Sequence, residues 1–158
     1  MNSKNDRHKE PAHELRDFVA NCQTLILATV STGGLPNSSY APFVESDGCF
    51  FILISGLAKH TSNLLNTGLC HAMLIADEKE TTNPFARKRV SYSCQTEAMD
   101  RNDPNSKAIL TKLEERFGPT IGTLAELPDF QLIRLIPGEG VWVRGFAQAI
   151  PVLGLPKT

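Results

Sequence analysis

Apolar residues recur at helical spacing early in the chain and at strand spacing through most of the rest. Leu15, Phe18, Val19 and Cys22 follow an i, i+3, i+4, i+7 pattern, which is typical of one buried helix face. From Thr24 onward, short apolar runs rich in β-branched residues alternate with Gly and Asp-Gly turn signals. The pattern therefore predicts an N-terminal helix followed by several strands.

The same patterns predict the remaining elements. Strands are predicted at 24–30, 35–44, 49–55, 70–76, 87–99, 130–136 and 141–150. Helices are predicted from Pro11 and at 57–66, 104–117 and 120–127. Pro42 interrupts the second strand, and the first three strands are expected to form an antiparallel meander. Residues 137–140, Pro-Gly-Glu-Gly, are expected to form the last hairpin turn.

About seven strands in consecutive runs, with three or four helices between them, favour an α+β fold with an antiparallel sheet. A closed or nearly closed barrel would protect the strand edges. We expect Ile109, Leu113 and Phe117 on the third helix to face the barrel core. Residues 1–10 are expected to be a flexible N-terminal tail, and residues 11–158 a single domain.

Composition narrows the possible partners. The chain has 158 residues, 41% hydrophobic and 21% charged, with a formal net charge of -1, so the strong basic charge of a nucleic-acid-binding protein is missing. Since no apolar stretch approaches ~20 residues, we expect no membrane span, and the polar N-terminus lacks a secretory signal. The four cysteines are far apart, which argues against a zinc site. We therefore expect no metal site and a cytoplasmic protein with reduced thiols.

The segment 55–63 is the first candidate binding site. It lies where a strand ends and a helix begins, and free N–H groups and the helix dipole favour an anion there. Lys59 and His60 add positive charge, and Ser55 adds a hydroxyl donor, so a phosphate group fits this position. The alternative is an ordinary solvated helix start.

Arg87 and Arg89 form the second candidate. Strand alternation places both guanidinium groups on one side, where they can hold a phosphate or carboxylate. The alternative is an edge strand protected by charge. Gly138 and Gly140 begin like a dinucleotide fingerprint, but Val143 occupies the third glycine position, so that function is not expected.

Several strings, taken in order, resemble a known superfamily. They are 28–30 and 34–43 (Ala-Thr-Val … Gly-Leu-Pro-Asn-Ser-Ser-Tyr-Ala-Pro-Phe), 54–64 and 85–90 (Phe-Ala-Arg-Lys-Arg-Val). They resemble the FMN-binding split barrels of the pyridoxamine-phosphate-oxidase-like superfamily. The strings 39–43, 86–89, 115–118, 129–135 and 144–146 are closer to its heme-utilisation branch of the HugZ/HutZ type. The resemblance covers about residues 13–150.

The resemblance implies an antiparallel Greek-key split barrel that forms a homodimer with cofactor sites at the subunit interface. In flavin-binding members, the strand matching Ser39, Tyr40, Ala41 and Pro42 lies along the isoalloxazine. The positions matching Ile54 and Ser55, and the pair matching Lys59 and His60, meet the ribityl phosphate. Arg89 falls where the oxidases have a flavin-contacting glutamine, and Trp142 and Phe146 are candidate interface aromatics.

In the heme-utilisation branch, the barrel binds heme and a histidine in a C-terminal extension ligates the iron. Here the last histidine is His71, so that ligand is missing from the sequence. The resemblance leaves FMN and heme open as the cofactor. It implies a heme-degrading oxygenase, with an FMN-dependent oxidoreductase or a non-catalytic heme or flavin carrier as alternatives. In each case we expect Ser55, Lys59, His60 and Arg89 to converge on one phosphate- or propionate-holding pocket.

Overall fold

The computed structural model describes residues 10–157, so nearly all of the predicted tail (1–10) lies outside the described residues. The fold combines helices with an eight-stranded antiparallel sheet, which confirms the predicted α+β class. The helices are α1 (Pro11–Asn21), α2 (Lys59–Thr67), α3 (Pro104–Phe117) and α4 (Thr120–Glu126). The strands are β1 (Thr24–Val30), β2 (Pro36–Pro42), β3 (Val44–Ser46), β4 (Cys49–Ser55), β5 (Leu69–Ile75), β6 (Arg89–Ala98), β7 (Phe130–Gly145) and β8 (Gln148–Leu153). Short 3-10 turns span Glu78–Glu80 and Pro84–Ala86.

The sheet closes into a barrel through one bent segment. The strand order is β2-β1-β5-β6-β7-β4-β3, with β8 paired to β7. The two strands at the ends of this order, β2 and β3, are separated in the chain only by Phe43. Because one continuous segment pairs with β1 through its first half and with β4 through its second half, the sheet has no open end between them. The interruption expected at Pro42 is therefore the corner that closes the barrel.

This corner also corrects the expected meander. β1 and β2 do form a hairpin, but β4 pairs with β3 and β7 and is not a sheet neighbour of β2. The buried ring of Phe43 packs against Phe50 in an edge-to-face contact, with 5.3 Å between ring centroids. The segment therefore turns at Phe43 because this side chain is drawn into the barrel core.

Helices α1 and α2 pack on the core from opposite ends of β1. Helix α1 leads into the start of β1, and its Leu15 and Val19 are buried as the helical pattern predicted. Helix α2 reaches the other end of β1, where buried Asn63 donates a 3.0 Å hydrogen bond to Thr29. Gly68, with a φ of 67°, ends α2 in the left-handed region that glycine tolerates best.

Helix α3 packs on the outside of the barrel wall, which corrects its expected position. Ile109 and Leu113 are buried in a second cluster with Phe51 and Leu132, separate from the barrel core, and Phe117 is only partly buried. Strand β4 is apolar on both faces, so its outer face also needs a cover. The helical stripe indicated that α3 buries one face, but not which side of the sheet receives it.

The expected turn at 137–140 is not a turn. Strand β7 runs through it without a break for 16 residues, and the hairpin to β8 turns at Phe146 and Ala147, where Ala147 has a φ of 55°. Gly140 is required for close approach, because a Cβ there would lie 2.4 Å from the backbone oxygen of Ser91. Trp142 is fully buried against Phe18, so it is a core residue and the interface role expected for it is wrong.

Candidate cofactor site

The junction between β4 and α2 is a tight loop held by the segment before β7. The backbone N–H of Gly56 donates a 2.6 Å hydrogen bond to the carbonyl oxygen of Asp129, and a Cβ at position 56 would also lie 2.6 Å from that oxygen. Only glycine leaves room for this approach. The start of α2 is therefore fixed relative to β7 by backbone contacts.

Ser55 is the centre of this loop. Its hydroxyl donates to the Asp129 carboxylate at 3.1 Å and accepts from the backbone N–H of Leu57 at the same distance. Its carbonyl oxygen accepts a 2.5 Å hydrogen bond from the buried Thr61 hydroxyl. Since the hydroxyl and the carbonyl group of Ser55 both have partners within the protein, Ser55 stabilises the conformation of this loop.

His60 is tied to the neighbouring strand. Its Nδ1 lies 2.7 Å from the hydroxyl oxygen of Ser39 on β2, so two of the predicted site residues meet directly. Burial lowers the pKa of His60 below its ordinary value of 6.5. The imidazole is therefore neutral at pH 7 and acts there as a hydrogen-bonding group without charge.

Because His60 is neutral, Lys59 provides the positive charge at the start of α2. It is exposed at the first position of α2, where Ala58 provides no side-chain cap and the first turn contains no acidic residue. The uncompensated N-terminal dipole and the ammonium group have the same sign, and both favour an anion. A phosphate or carboxylate is the ligand group that this position suits.

The four predicted residues on β2 divide between the two faces of the strand. Ser39 and Ala41 point inward, whereas Tyr40 and Pro42 point outward and are exposed. Ile54 on β4 is also buried in the barrel core. Side chains of Ala41 and Ile54 are therefore closed to a ligand outside the barrel, and only Tyr40 and Pro42 offer side-chain surface there.

Arg87 and Arg89 lie at the other end of the sheet. Strand β6 begins at Arg89, and its guanidinium donates to the carbonyl of Arg87 at 2.8 Å. The Arg87 guanidinium donates to the carbonyl of Ala76 at 2.7 Å. Each group has further N–H donors in its fork, so these contacts orient the two cations while leaving capacity for an anion.

Within one chain, Arg89 does not join Lys59. Arg89 is the register partner of Val143 near the end of β7, whereas Ser55, next to the start of α2, is the partner of Phe130 at its beginning. The two candidate sites of one chain are therefore separated by most of the length of β7. The structure brings Ser39, Ser55, Lys59 and His60 together and leaves the arginines apart from them.

A partly exposed row of side chains on the outer face of the sheet was missed by the sequence analysis. Five side chains in register across five strands make up this outer strip: Tyr40, Ile26, Met73, Ser91 and Val141. Tyr40 is 67% exposed, Ile26 36% and Val141 44%. The strict alternation of exposed and buried positions on β1 was the available signal, because it places Ile26 opposite the core residues Leu25 and Leu27.

The outer strip has a polar group on either side. Arg89 is two residues from Ser91 on β6, and His71 is two residues from Met73 on β5, so both belong to the same outer face. The His71 side chain is exposed. A cavity of about 1090 Å³ opens nearby between the end of α1 and residues 75–88, with Arg87 and Lys88 in its lining.

No helix within residues 10–157 is long and apolar enough to cross a membrane. The same part of the chain gathers no group of three or more His, Cys, Asp or Glu side chains able to hold a metal ion.

Comparison with known proteins gives consistent similarities. The chain is 40% identical over 141 residues to the heme oxygenase HutZ of Vibrio cholerae, covering 89% of this chain and 80% of that protein. The crystal structure of HutZ, described as the heme storage protein of Vibrio cholerae, superposes with a TM-score of 0.77 at 34% identity, over 90% of this chain and 93% of that one. Campylobacter jejuni ChuZ gives a TM-score of 0.82 at 27% identity, over 92% of this chain and 61% of ChuZ.

These similarities confirm the resemblance to the heme-utilisation branch that the motifs indicated. The family described as pyridoxamine 5'-phosphate oxidase matches residues 11–142, and this chain belongs to that family.

Proposed function

We propose that this protein binds heme as a homodimer, with the outer strip forming one wall of the site. The observation that carries the proposal is the outer strip itself, where exposed Tyr40, Ile26 and Val141 and partly exposed Met73 lie in one row across the sheet, next to a guanidinium group. Heme is a flat apolar ring with two carboxylates, so it requires an apolar wall and nearby cations. The apolar wall is supplied by Tyr40, Ile26 and Met73. The cations are supplied by Arg89 and Arg87.

A homodimer accounts for the exposure of this face. A single chain leaves Tyr40, Ile26 and Val141 in contact with water, and a contiguous apolar patch of this kind is typical of an interaction surface. A two-fold dimer is the commonest closed assembly, and the one we propose pairs the α2 end of one subunit with the arginines of the other. This arrangement would supply the convergence of Lys59 and Arg89 that one chain does not achieve.

His71 is the residue we propose as an iron ligand. It is exposed on the same face as the outer strip, and its ring has no hydrogen-bond partner among residues 10–157. His60 is engaged by Ser39, and His13 Nδ1 accepts a 3.2 Å hydrogen bond from the Arg16 guanidinium. When bound, heme supplies oxygen chemistry at its iron, while the protein supplies the apolar wall, the cations and the ligand.

Titration with hemin tests this proposal. Purified protein should develop a Soret band that saturates at one or two hemes per dimer, and light scattering should give the dimer mass. His71→Ala should shift the Soret maximum without loss of fold, whereas His13→Ala, a matched exposed histidine, should leave the spectrum unchanged. The absence of a saturable Soret band would overturn heme binding.

FMN is the second candidate, favoured by the open start of α2. Lys59 and the uncapped N–H groups there suit a phosphate, and the matched family is named for an enzyme of a phosphorylated substrate. Titration with FMN, followed by quenching of flavin fluorescence, measures this alternative directly. Turnover separates an enzyme from a carrier: a heme oxygenase would lose the Soret band when supplied with reductant and oxygen, whereas a carrier would keep it.

A further inference from the structure

Two of the four cysteines face each other across neighbouring strands. Cys70 on β5 and Cys94 on β6 are direct register partners, and both contact the barrel core from its inner side. The Cys94 thiol donates to the carbonyl oxygen of Tyr92 at 3.7 Å, and the Cys70 side chain is close enough to raise its pKa. Directly opposed residues of antiparallel strands have Cα atoms about 4.5–5.5 Å apart, which is within the ~4.4–6.8 Å that a disulfide spans.

We propose that Cys70 and Cys94 form a reversible disulfide that links β5 to β6, made by a peroxide and broken by a small dithiol. Neither the heme site nor the flavin alternative uses these residues, so this proposal stands apart from the proposed function. The pair needs little backbone movement to react, because the two residues already stand directly opposite each other on paired strands.

The two sulfur atoms differ in access. Cys70 is partly exposed, whereas Cys94 is only 2% exposed. The neighbouring Cys70 side chain, together with burial, raises the pKa of Cys94 far above its ordinary value. Cys70 is therefore the sulfur that meets the oxidant first.

The reaction balances with hydrogen peroxide as the oxidant. The Cys70 thiolate attacks one peroxide oxygen, the O–O bond breaks, and the departing hydroxide takes a proton and leaves as water. Cys70 is then a sulfenic acid. The Cys94 sulfur attacks the Cys70 sulfur, the S–S bond forms as the S–O bond breaks, and the hydroxyl leaves as a second water with the Cys94 proton. The two thiols lose two electrons in total, and the peroxide is reduced to two waters.

The other two cysteines lack such a partner. Cys22 follows α1, and Cys49 begins β4 in the second apolar cluster; neither is in register with another cysteine. Cys22 has the same intermediate exposure as Cys70, and burial raises its pKa. It is therefore a matched control for a thiol of similar access without an opposed partner.

Oxidation followed by mass spectrometry of the full chain tests the proposal. The protein is treated with graded hydrogen peroxide, unfolded, and alkylated to count its free thiols. We expect the loss of two hydrogen atoms and of two alkylation sites, with Cys70 and Cys94 in one disulfide-linked peptide. Dithiothreitol should restore all four alkylation sites. Because this mapping uses the wild-type protein, it does not depend on a variant folding.

Single cysteine variants test which thiols take part in the oxidation. Cys70→Ser should abolish the loss of mass, and Cys22→Ser should leave it unchanged. Cys94→Ala should stop the reaction at a sulfenic acid on Cys70, which dimedone traps. The proposal is overturned if oxidised protein still alkylates at both Cys70 and Cys94, if Cys22 enters the disulfide, or if Cys70 proceeds to the sulfinic acid in wild-type protein.

Discussion

Ser39 Oγ and His60 Nδ1 lie 2.7 Å apart, and this contact joins strand β2 to the first turn of α2. It is a long-range link, because 21 positions of sequence separate the two residues. The start of α2 thus takes its position from two strands, β4 through Ser55 and β2 through Ser39.

The strength of this link can be measured by a double-mutant cycle. Ser39→Ala and His60→Ala should each lower the free energy of unfolding by about 1 kcal/mol, the usual net value of a hydrogen bond. The double variant should lose less than the sum, with a coupling of roughly 0.5–1.5 kcal/mol. Urea unfolding of the four proteins gives these values. Strict additivity would mean that the two side chains do not interact in solution.

The lowered pKa of His60 predicts a pH dependence of stability. Above pH 6.5 the imidazole is neutral in both the folded and the unfolded chain, so its full contribution to the free energy of unfolding is present. As the pH falls through 6.5, the unfolded chain binds the proton first, and stability decreases until the folded pKa is passed. His60→Gln should therefore flatten the stability profile between pH 7.5 and the acid limb, measured as the midpoint of urea unfolding. A His60→Gln profile with the wild-type slope in that interval would contradict this role of His60.

Gly140 should not tolerate a side chain. A Cβ there would lie 2.4 Å from the Ser91 carbonyl and 2.6 Å from the Tyr92 ring, so Gly140→Ala forces β6 and β7 apart. We expect a loss of about 2–3 kcal/mol or more in the free energy of unfolding. Gly33→Ala is the control, because its nearest atom would be 3.8 Å away. A thermal melt of Gly140→Ala that matches wild type would contradict the close approach of these strands.

Charge removal distinguishes the two cofactor candidates. If heme is bound against the outer strip, Arg89→Ala should weaken hemin binding by about 10–100-fold, equivalent to roughly 1.5–3 kcal/mol for a charge-assisted hydrogen bond. If FMN is bound through its phosphate, Lys59→Ala should weaken FMN binding by a similar factor. Lys107→Ala, an exposed lysine on α3, is the control for loss of one positive charge. If all three variants bind hemin and FMN with equal affinity, neither Arg89 nor Lys59 contacts a cofactor.

Element types were predictable from the sequence because each depends on local pattern. The strand at 24–30 and the helix at 104–117 both appear where the pattern placed them. The turn predicted at 137–140 is not formed, because glycine can either turn the chain or make room for a neighbouring strand. Local sequence cannot tell a glycine that turns the chain from Gly140, which lets a neighbouring strand approach.

The candidate site was only partly predictable for a similar reason. Ser55, Lys59 and His60 are close in sequence, and a single loop brings them together. The outer strip takes one residue from each of five strands, so no local window contains it. Ile26 and Met73 become neighbours only through the pairing of β1 with β5, and that pairing is a property of the whole barrel.

The way the barrel closes also bears on its synthesis. Strand β4 is complete at Ser55, but its partner on β7 comes much later in the chain: Phe50 pairs with Leu135. A ribosome that has made β1 to β6 has therefore released a sheet with both edges still open, and such edges invite pairing with other chains. Contacts of such long sequence separation also slow folding. Nascent chains halted before β7 should be the species most prone to aggregation, and the ones that most need a chaperone.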